Sequence, residues 1–280
     1  MSQFYNNLKT AFLLAAMTAL ILYIGSFWGQ QGIITALIFA AVTNFVSFFF
    51  SDKIALAAVH AEEVPPDHPL SKIVERLIHN ADLPMPRVYI SPAAAPNAFA
   101  TGRNPHHAAV CATQGLLDML TDNEISGVLG HELAHVKHRD ILIVSIAATI
   151  AAAISMLGYM VMWFGMGNQR DEREGNPIAG ILVLLLAPLA AALIQAAISR
   201  SREFNADKEG AEICGNPMYL ATALEKIESR AQQIPMNVNP SFNAMFIMEP
   251  RNMMGGVVAL FQTHPPLEAR LMNLIGRPHV

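Results

Sequence analysis

The chain has 280 residues, 53% of them hydrophobic and only 14% charged, with a formal net charge of −4 at pH 7. An ordinary soluble domain carries about 25% charged residues, and here the charges are missing in blocks: none lies between Lys9 and Asp52, between Asp140 and Arg170, or between Glu174 and Arg200. This excludes a wholly soluble globule, and the acidic balance excludes a nucleic-acid partner, which needs a basic face.

A bilayer core is crossed by about 20 apolar residues in a helix. Segments 11–28 and 32–50, parted by the polar "GQQG", predict a first membrane hairpin. A signal peptide is the alternative for segment 11–28, but no small-residue cleavage site follows and the next span begins at once. Segment 52–140 is soluble in character, with predicted strands at 86–91, 97–102 and 107–113. The intervening "GRNPH" is turn chemistry, which places His106 and His107 in solvent. Thr121 followed by Glu124 is a capping box and starts a helix that carries "GHELAHVKH". Segments 141–166 and 178–198 predict a second membrane hairpin around the charged turn "NQRDEREGNP". Helices are then expected at 202–214, stopped by Gly215 and Pro217, and at 219–232. A stretch rich in Met, Asn and Pro follows, and "HPPLEARLMNLIG" closes with a short amphipathic helix.

The expected architecture is a mainly α-helical integral membrane protein with four transmembrane helices and a small β-sheet. Its parts are an N-terminal hairpin (1–50), a soluble part with the sheet and the metal helix (51–140), a second hairpin (141–198) and a second soluble part (199–280). Lys9, Lys53, Lys137, Arg139, Arg200 and Arg202 flank the spans on one side, so the positive-inside rule puts the termini and soluble mass in the cytoplasm.

His131 and His135 share one helical face and can reach one ion, while Glu132, about 100° round the helix, can serve a water beside that ion. This is the H-E-x-x-H arrangement of zinc peptidases, with the carboxylate as general base. A catalytic zinc takes a third protein ligand and keeps one position open. His138 does not supply it, because a continuous helix carries it about 10 Å along the axis from His131; it reads as a snorkelling interfacial residue. "SRSREFNAD" offers Glu203 as the ligand, with Asp207 four residues on as a carboxylate to hold a histidine ring by its other N–H. Two membrane crossings separate His135 from Glu203, so the second hairpin returns Glu203 to the surface that His131 left.

"HELAHVKHRD" followed, after a hydrophobic hairpin, by "SRSREFNAD" resembles the HtpX membrane zinc metalloproteases, bacterial relatives of the CAAX prenyl protease. The resemblance also takes in the N-terminal hairpin, "NAFATG" and the late "THPP". It implies a gluzincin-like zinc protease domain on the cytoplasmic side of the inner membrane, one Zn2+ per chain, and a role in stress-linked quality control of misfolded or damaged membrane proteins. It implies His131, His135 and Glu203 as zinc ligands, Glu132 as general base, Asp207 as the residue orienting a ligand histidine, and His264 as a helper at the tetrahedral intermediate. The extended and mostly small stretch Asn97 to Thr101, with Asn97, Ala98, Phe99 and Ala100, suits pairing with an unfolded peptide by β-augmentation. Met245, Met248, Met253 and Met254 either pack ordinarily or form an apolar flap over the cleft.

Two other readings compete. One is a non-enzymatic membrane scaffold whose zinc is structural, with Cys214 as a fourth ligand; otherwise Cys111 and Cys214 read as reduced small hydrophobes. The other is a zinc transporter, disfavoured because the second hairpin offers little beyond Ser145, Thr149, Ser155 and Gln195 as polar groups.

Overall fold

A computed structural model of the chain describes residues 2–26, 29–166, 200–231, 245–247 and 265–276. The predicted span 178–198, His264, and Met248, Met253 and Met254 lie outside the described residues.

Helices α1 (Ser2–Ser26) and α2 (Gly29–Ala58) form the first hairpin. The "GQQG" stretch is the first turn of α2 and not a separate linker. Ile34, Ile38, Val42, Phe45 and Phe49 run exposed along α2, while Ala36, Ala40 and Ser47 are buried. Large apolar groups thus face outward and small ones inward, the distribution expected where lipid is the solvent and helices approach closely. At the turn, a Cβ on Gly25 would come within 2.4 Å of the Ala36 Cβ. Among the described residues α1 and α2 are the two helices long and apolar enough to cross a bilayer. α6 (Asp140–Met166) adds a shorter apolar stretch, Asp140–Ala152.

α2 does not stop at the end of its apolar run near residue 50. It continues to Ala58 because Ala55 and Leu56, with Val59 just beyond, pack on the sheet beside Tyr89, Phe99 and Cys111. The sheet has four strands in the order β1-β2-β4-β3, where β1 is Glu62–Glu63, β2 Arg87–Ser91, β3 Ala98–Gly102 and β4 Ala108–Thr113. β2 and β4 are parallel, and β3 pairs antiparallel to β4 with Phe99 opposite Cys111. Alternation sorts the side chains: Tyr89, Phe99 and Cys111 face α2 and α6, while Val88, Ala98, Ala100, Val110 and Ala112 join the larger core. That core also takes the amphipathic α3 (Pro69–Ala81), which buries Leu70, Ile73, Val74 and Leu77 at helical spacing. α3 adds to the elements expected from the sequence. The short α4 (Gln114–Met119), capped by Thr113, was likewise not foreseen.

α5 (Asp122–His138) begins as the sequence indicates, with Thr121 as N-cap and Glu124 closing the capping box. Glu124 also pairs with Lys226 at 2.7 Å on α8 (Pro217–Ala231), which Pro217 opens at its first position. α5 ends at Arg139, whose φ of 59° is left-handed, and Asp140 opens α6 immediately afterwards. α7 (Arg200–Cys214) crosses α5 at a pair of glycines. A Cβ on Gly130 would lie 2.6 Å from the Gly210 carbonyl oxygen, and one on Gly210 would lie 2.6 Å from the His131 nitrogen. α9 (Leu267–Ile275) closes the core with Leu267 and Leu271.

The glycine crossing leaves no room for a branched side chain. Gly210→Val is expected to destabilise the chain by about 3 kcal/mol, the upper part of the usual overpacking range. A thermal unfolding midpoint in detergent equal to the parent's would contradict this packing.

Candidate active site

α5 presents His131, Glu132 and His135, and the backbone contact with α7 brings Glu203 against them. His131 is 1% exposed, Glu132 3% and Glu203 4%. The Nε2 atoms of His131 and His135 are 3.1 Å apart, with the rings nearly perpendicular at 88°. Glu203 Oε2 lies 3.8 Å from His131 Nε2, and Oε1 lies 3.5 Å from His135 Nε2. Two ligands each about 2.0 Å from a tetrahedral zinc stand about 3.3 Å apart, so the donor types and the 3.1 Å between the imidazole nitrogens fit that ion, with one Glu203 oxygen facing each ring. One donor atom from each residue falls within a common 4.8 Å.

Each imidazole is held from behind by a carboxylate. Asp207 Oδ1 is 3.0 Å from His131 Nδ1, and Asp140 Oδ2 is 3.2 Å from His135 Nδ1. A carboxylate at Nδ1 accepts a hydrogen bond from that N–H, which keeps the proton there and leaves Nε2 free to ligate. Arg270, on α9 and fully buried, donates through Nε to Asp207 Oδ2 at 2.9 Å and through Nη1 to the Ile247 carbonyl at 3.0 Å. Asn6 of α1 donates to Asp140 Oδ1 at 2.7 Å, and Arg202 reaches the same oxygen at 3.3 Å.

The charges divide the two histidines. Burial pushes His131 down to about 4, against the pull of Asp207. Burial acts on His135 in the same direction, but Glu203, Asp140 and Glu132 outweigh it and carry the ring up to about 9. Asp207, despite its burial, is drawn down to about 2 by Arg270.

A family model described as peptidase family M48 matches residues 66–277. The chain belongs to peptidase family M48. A protein named protease HtpX homolog from Desulforapulum autotrophicum is 52% identical over 278 residues, covering 96% of this chain and 89% of its own. One of the same name from Methylibium petroleiphilum is 53% identical over 278 residues, covering 97% and 98%. The crystal structure of S. mikatae Ste24p shares the fold at 19% identity with a TM-score of 0.52, over 98% of this chain and 66% of that one. The M48 chain is therefore a metalloprotease, a hydrolase of peptide bonds, and the HtpX resemblance read from "HELAHVKHRD" and "SRSREFNAD" holds.

In this M48 site Glu132 does not point away from the cluster. Its Oε2 accepts from the Ala100 backbone N–H at 2.8 Å, which ties the carboxylate to β3. β3 is an end strand, as an edge for peptide pairing requires, yet it is buried throughout. Its outer rim is engaged at Ala100 by Glu132 and at Ala98, whose carbonyl accepts from Ile247 N at 3.1 Å. Asn97 turns inward, its N–H donating to Thr113 Oγ1 at 2.8 Å, and Phe99 meets Phe246 edge-on at 5.5 Å. Met245, Phe246 and Ile247 line a cavity of about 30 Å3 with the three candidate ligands.

His138 gains a partner that the sequence did not indicate: its Nε2 pairs with Glu209 of α7, which also takes Lys137 at 2.9 Å. One expectation changes. Cys214 is no fourth ligand, since it lies eleven residues beyond Glu203 on α7, about 16 Å along the axis. Its thiol faces the Ala211 and Asn216 carbonyls at 3.5 and 3.4 Å.

Asp140 and Arg270 were not singled out from the sequence, although signals existed. Asp140 is the last charge before the apolar run of α6. Arg270 falls three residues after Leu267 and four before Leu274, on the apolar stripe of its helix, where a charge needs a buried partner. Asn6 carried no such signal. Asp140→Ala is expected to weaken zinc binding about 10- to 100-fold, the usual effect of losing a carboxylate behind a ligand histidine. Competition against a chromogenic chelator checks this, and an affinity within twofold of the parent's would remove Asp140 from the site.

Proposed function

We propose that the chain is a multi-pass zinc endopeptidase of the bacterial inner membrane that cleaves misfolded or damaged membrane proteins as part of a stress response. The observation carrying this reading is the spacing of the His131, His135 and Glu203 donor atoms, each histidine backed by a buried carboxylate. In it His131, His135 and Glu203 hold one Zn2+, with Asp207 orienting His131 and Asp140 orienting His135. Four spans in hairpins 1–50 and 141–198 carry the soluble parts 51–140 and 199–280 on the cytoplasmic side. Support comes from the apolar α1 and α2 and from the basic residues at the span ends.

Zinc bound there supplies Lewis acidity and makes water a nucleophile near neutral pH. Glu132, buried beside the cluster, would accept a proton from the attacking water and deliver it to the leaving amine. Its hydrogen bond from Ala100 fixes the carboxylate on the side of the cleft where a substrate strand lies. An unfolded peptide pairs with β3 at the Ala98 carbonyl, exchanging for the contact that Ile247 now makes, while the Ala100 N–H stays on Glu132. The small side chains of Ala98 and Ala100 select for backbone geometry over sequence. His264 assists at the developing oxyanion.

Glu132→Gln keeps the ligand set and removes the base. Loaded with zinc in detergent, the variant is expected to bind zinc as the parent does and to cleave an unfolded protein about 10^3-fold more slowly. Cleavage at the parental rate would refute the assigned base, and zinc bound with no cleavage by either form would refute the protease mechanism.

A further inference from the structure

A second cavity, far larger than the one at the histidines, opens where α2 leaves its apolar run. Its volume is about 490 Å3, and Phe45, Phe49, Lys53, Arg87 and Arg103 are among its lining residues. The ring centroids of Phe45 and Phe49 are 4.7 Å apart, those of Phe48 and Phe49 5.1 Å, making a continuous aromatic wall. Phe45 is nevertheless 55% exposed and Phe49 42%. The cations sit at one end of that wall: Lys53 Nζ lies 5.3 Å from the Phe50 centroid and the Arg103 guanidinium 5.4 Å from that of Phe49. Among the described lining residues Asp52 is the one carboxylate, and it is already paired with Arg87 at 2.7 Å. Among the described residues neither Lys53 nor Arg103 has a carboxylate within salt-bridge reach. The cavity therefore carries an excess of two positive charges, with His106 and His107 beside it.

Depth identifies what neutralises them. The apolar run 32–50 spans about 28 Å as a helix, close to one bilayer core. Lys53 is one turn beyond its end, at headgroup level. Outward from the cavity the exposed row Phe45, Val42, Ile38 and Ile34 descends along α2 as a track for an acyl chain. A soluble anion would satisfy the cations but leave the aromatic wall and this track uncovered.

We infer that this cavity is a binding site for an anionic phospholipid, its phosphate held by Lys53 and Arg103 and one acyl chain laid on Phe45 and Phe49. The site is separate from the histidine cluster and rests only on α2 crossing the bilayer. Native mass spectrometry of the full chain in detergent, titrated with phosphatidylglycerol, with phosphatidylcholine of the same chains, and with glycerol 3-phosphate, tests it. Phosphatidylglycerol is expected to bind at least tenfold more tightly than either competitor. Lys53→Gln with Arg103→Gln should reduce it to the phosphatidylcholine level, and Phe45→Ala with Phe49→Ala should weaken it severalfold. A control losing the same charge elsewhere, Lys72→Gln with Lys208→Gln, should bind as the parent does. Equal binding of the two lipids, or equal losses in the Lys53/Arg103 and control variants, would overturn the site. Glycerol 3-phosphate bound as tightly as the lipid would overturn the lipid in favour of a soluble anion.

Discussion

The architecture depends on two helices touching backbone to backbone. α5 and α7 approach so closely at Gly130 and Gly210 that neither position admits a Cβ. His131 follows Gly130 directly, and Glu203 stands about two turns before Gly210 on α7. The crossing therefore decides whether a carboxylate from one helix can meet two imidazoles from the other. Packing density at this point is a condition of the chemistry, because a shift of one methyl group would move Glu203 out of ligand range.

Around that crossing the charges are nested. Neither histidine of the cluster is left to its own rotamer: Asp207 holds one and Asp140 the other, and each carboxylate is held by a cation in turn, Arg270 and Arg202. Removing water from so many charges is costly unless every one is paired, and here each carboxylate has both an imidazole and a guanidinium. The membrane part joins the same network, since Asn6 of α1 reaches Asp140. The left-handed turn at Arg139 makes this possible by ending α5 and folding Asp140 back onto His135. Membrane helices thus build the site as well as anchor it, which is why the H-E-x-x-H helix runs straight into an apolar one.

How much of this was legible follows the range of each interaction. The capping box at Thr121 and Glu124 and the i, i+4 histidines are local, and the sequence specifies them within one or two turns. The three longer strands are also local, set by β-branched and small residues between turn signals. Glu203 follows from "SRSREFNAD" together with the expectation that two crossings return the chain to the surface that His131 left, a topological argument that needs no contact prediction. His138 and Arg270 were different: their partners are 71 and 63 residues away in sequence, and nothing near them in the chain records what they will meet. Asp140 lies only five residues from His135, but it meets that ring through the left-handed turn at Arg139, which the sequence does not announce. The end of α2 was misjudged for a related reason. Asp52 and Lys53 mark the end of the apolar run, but the helix continues because its next face packs on a sheet formed later in the chain.

The central claim is that His131, His135 and Glu203 together hold one zinc, with a position left open beside Glu132. Diffraction from crystals of the zinc-loaded Glu132→Gln chain, collected at the zinc absorption edge, tests it most directly. The account predicts one anomalous peak, about 2.0 to 2.2 Å from both Nε2 atoms and a Glu203 oxygen, with no fourth protein ligand. A peak placed elsewhere, or one enclosed by four protein donors, would contradict it.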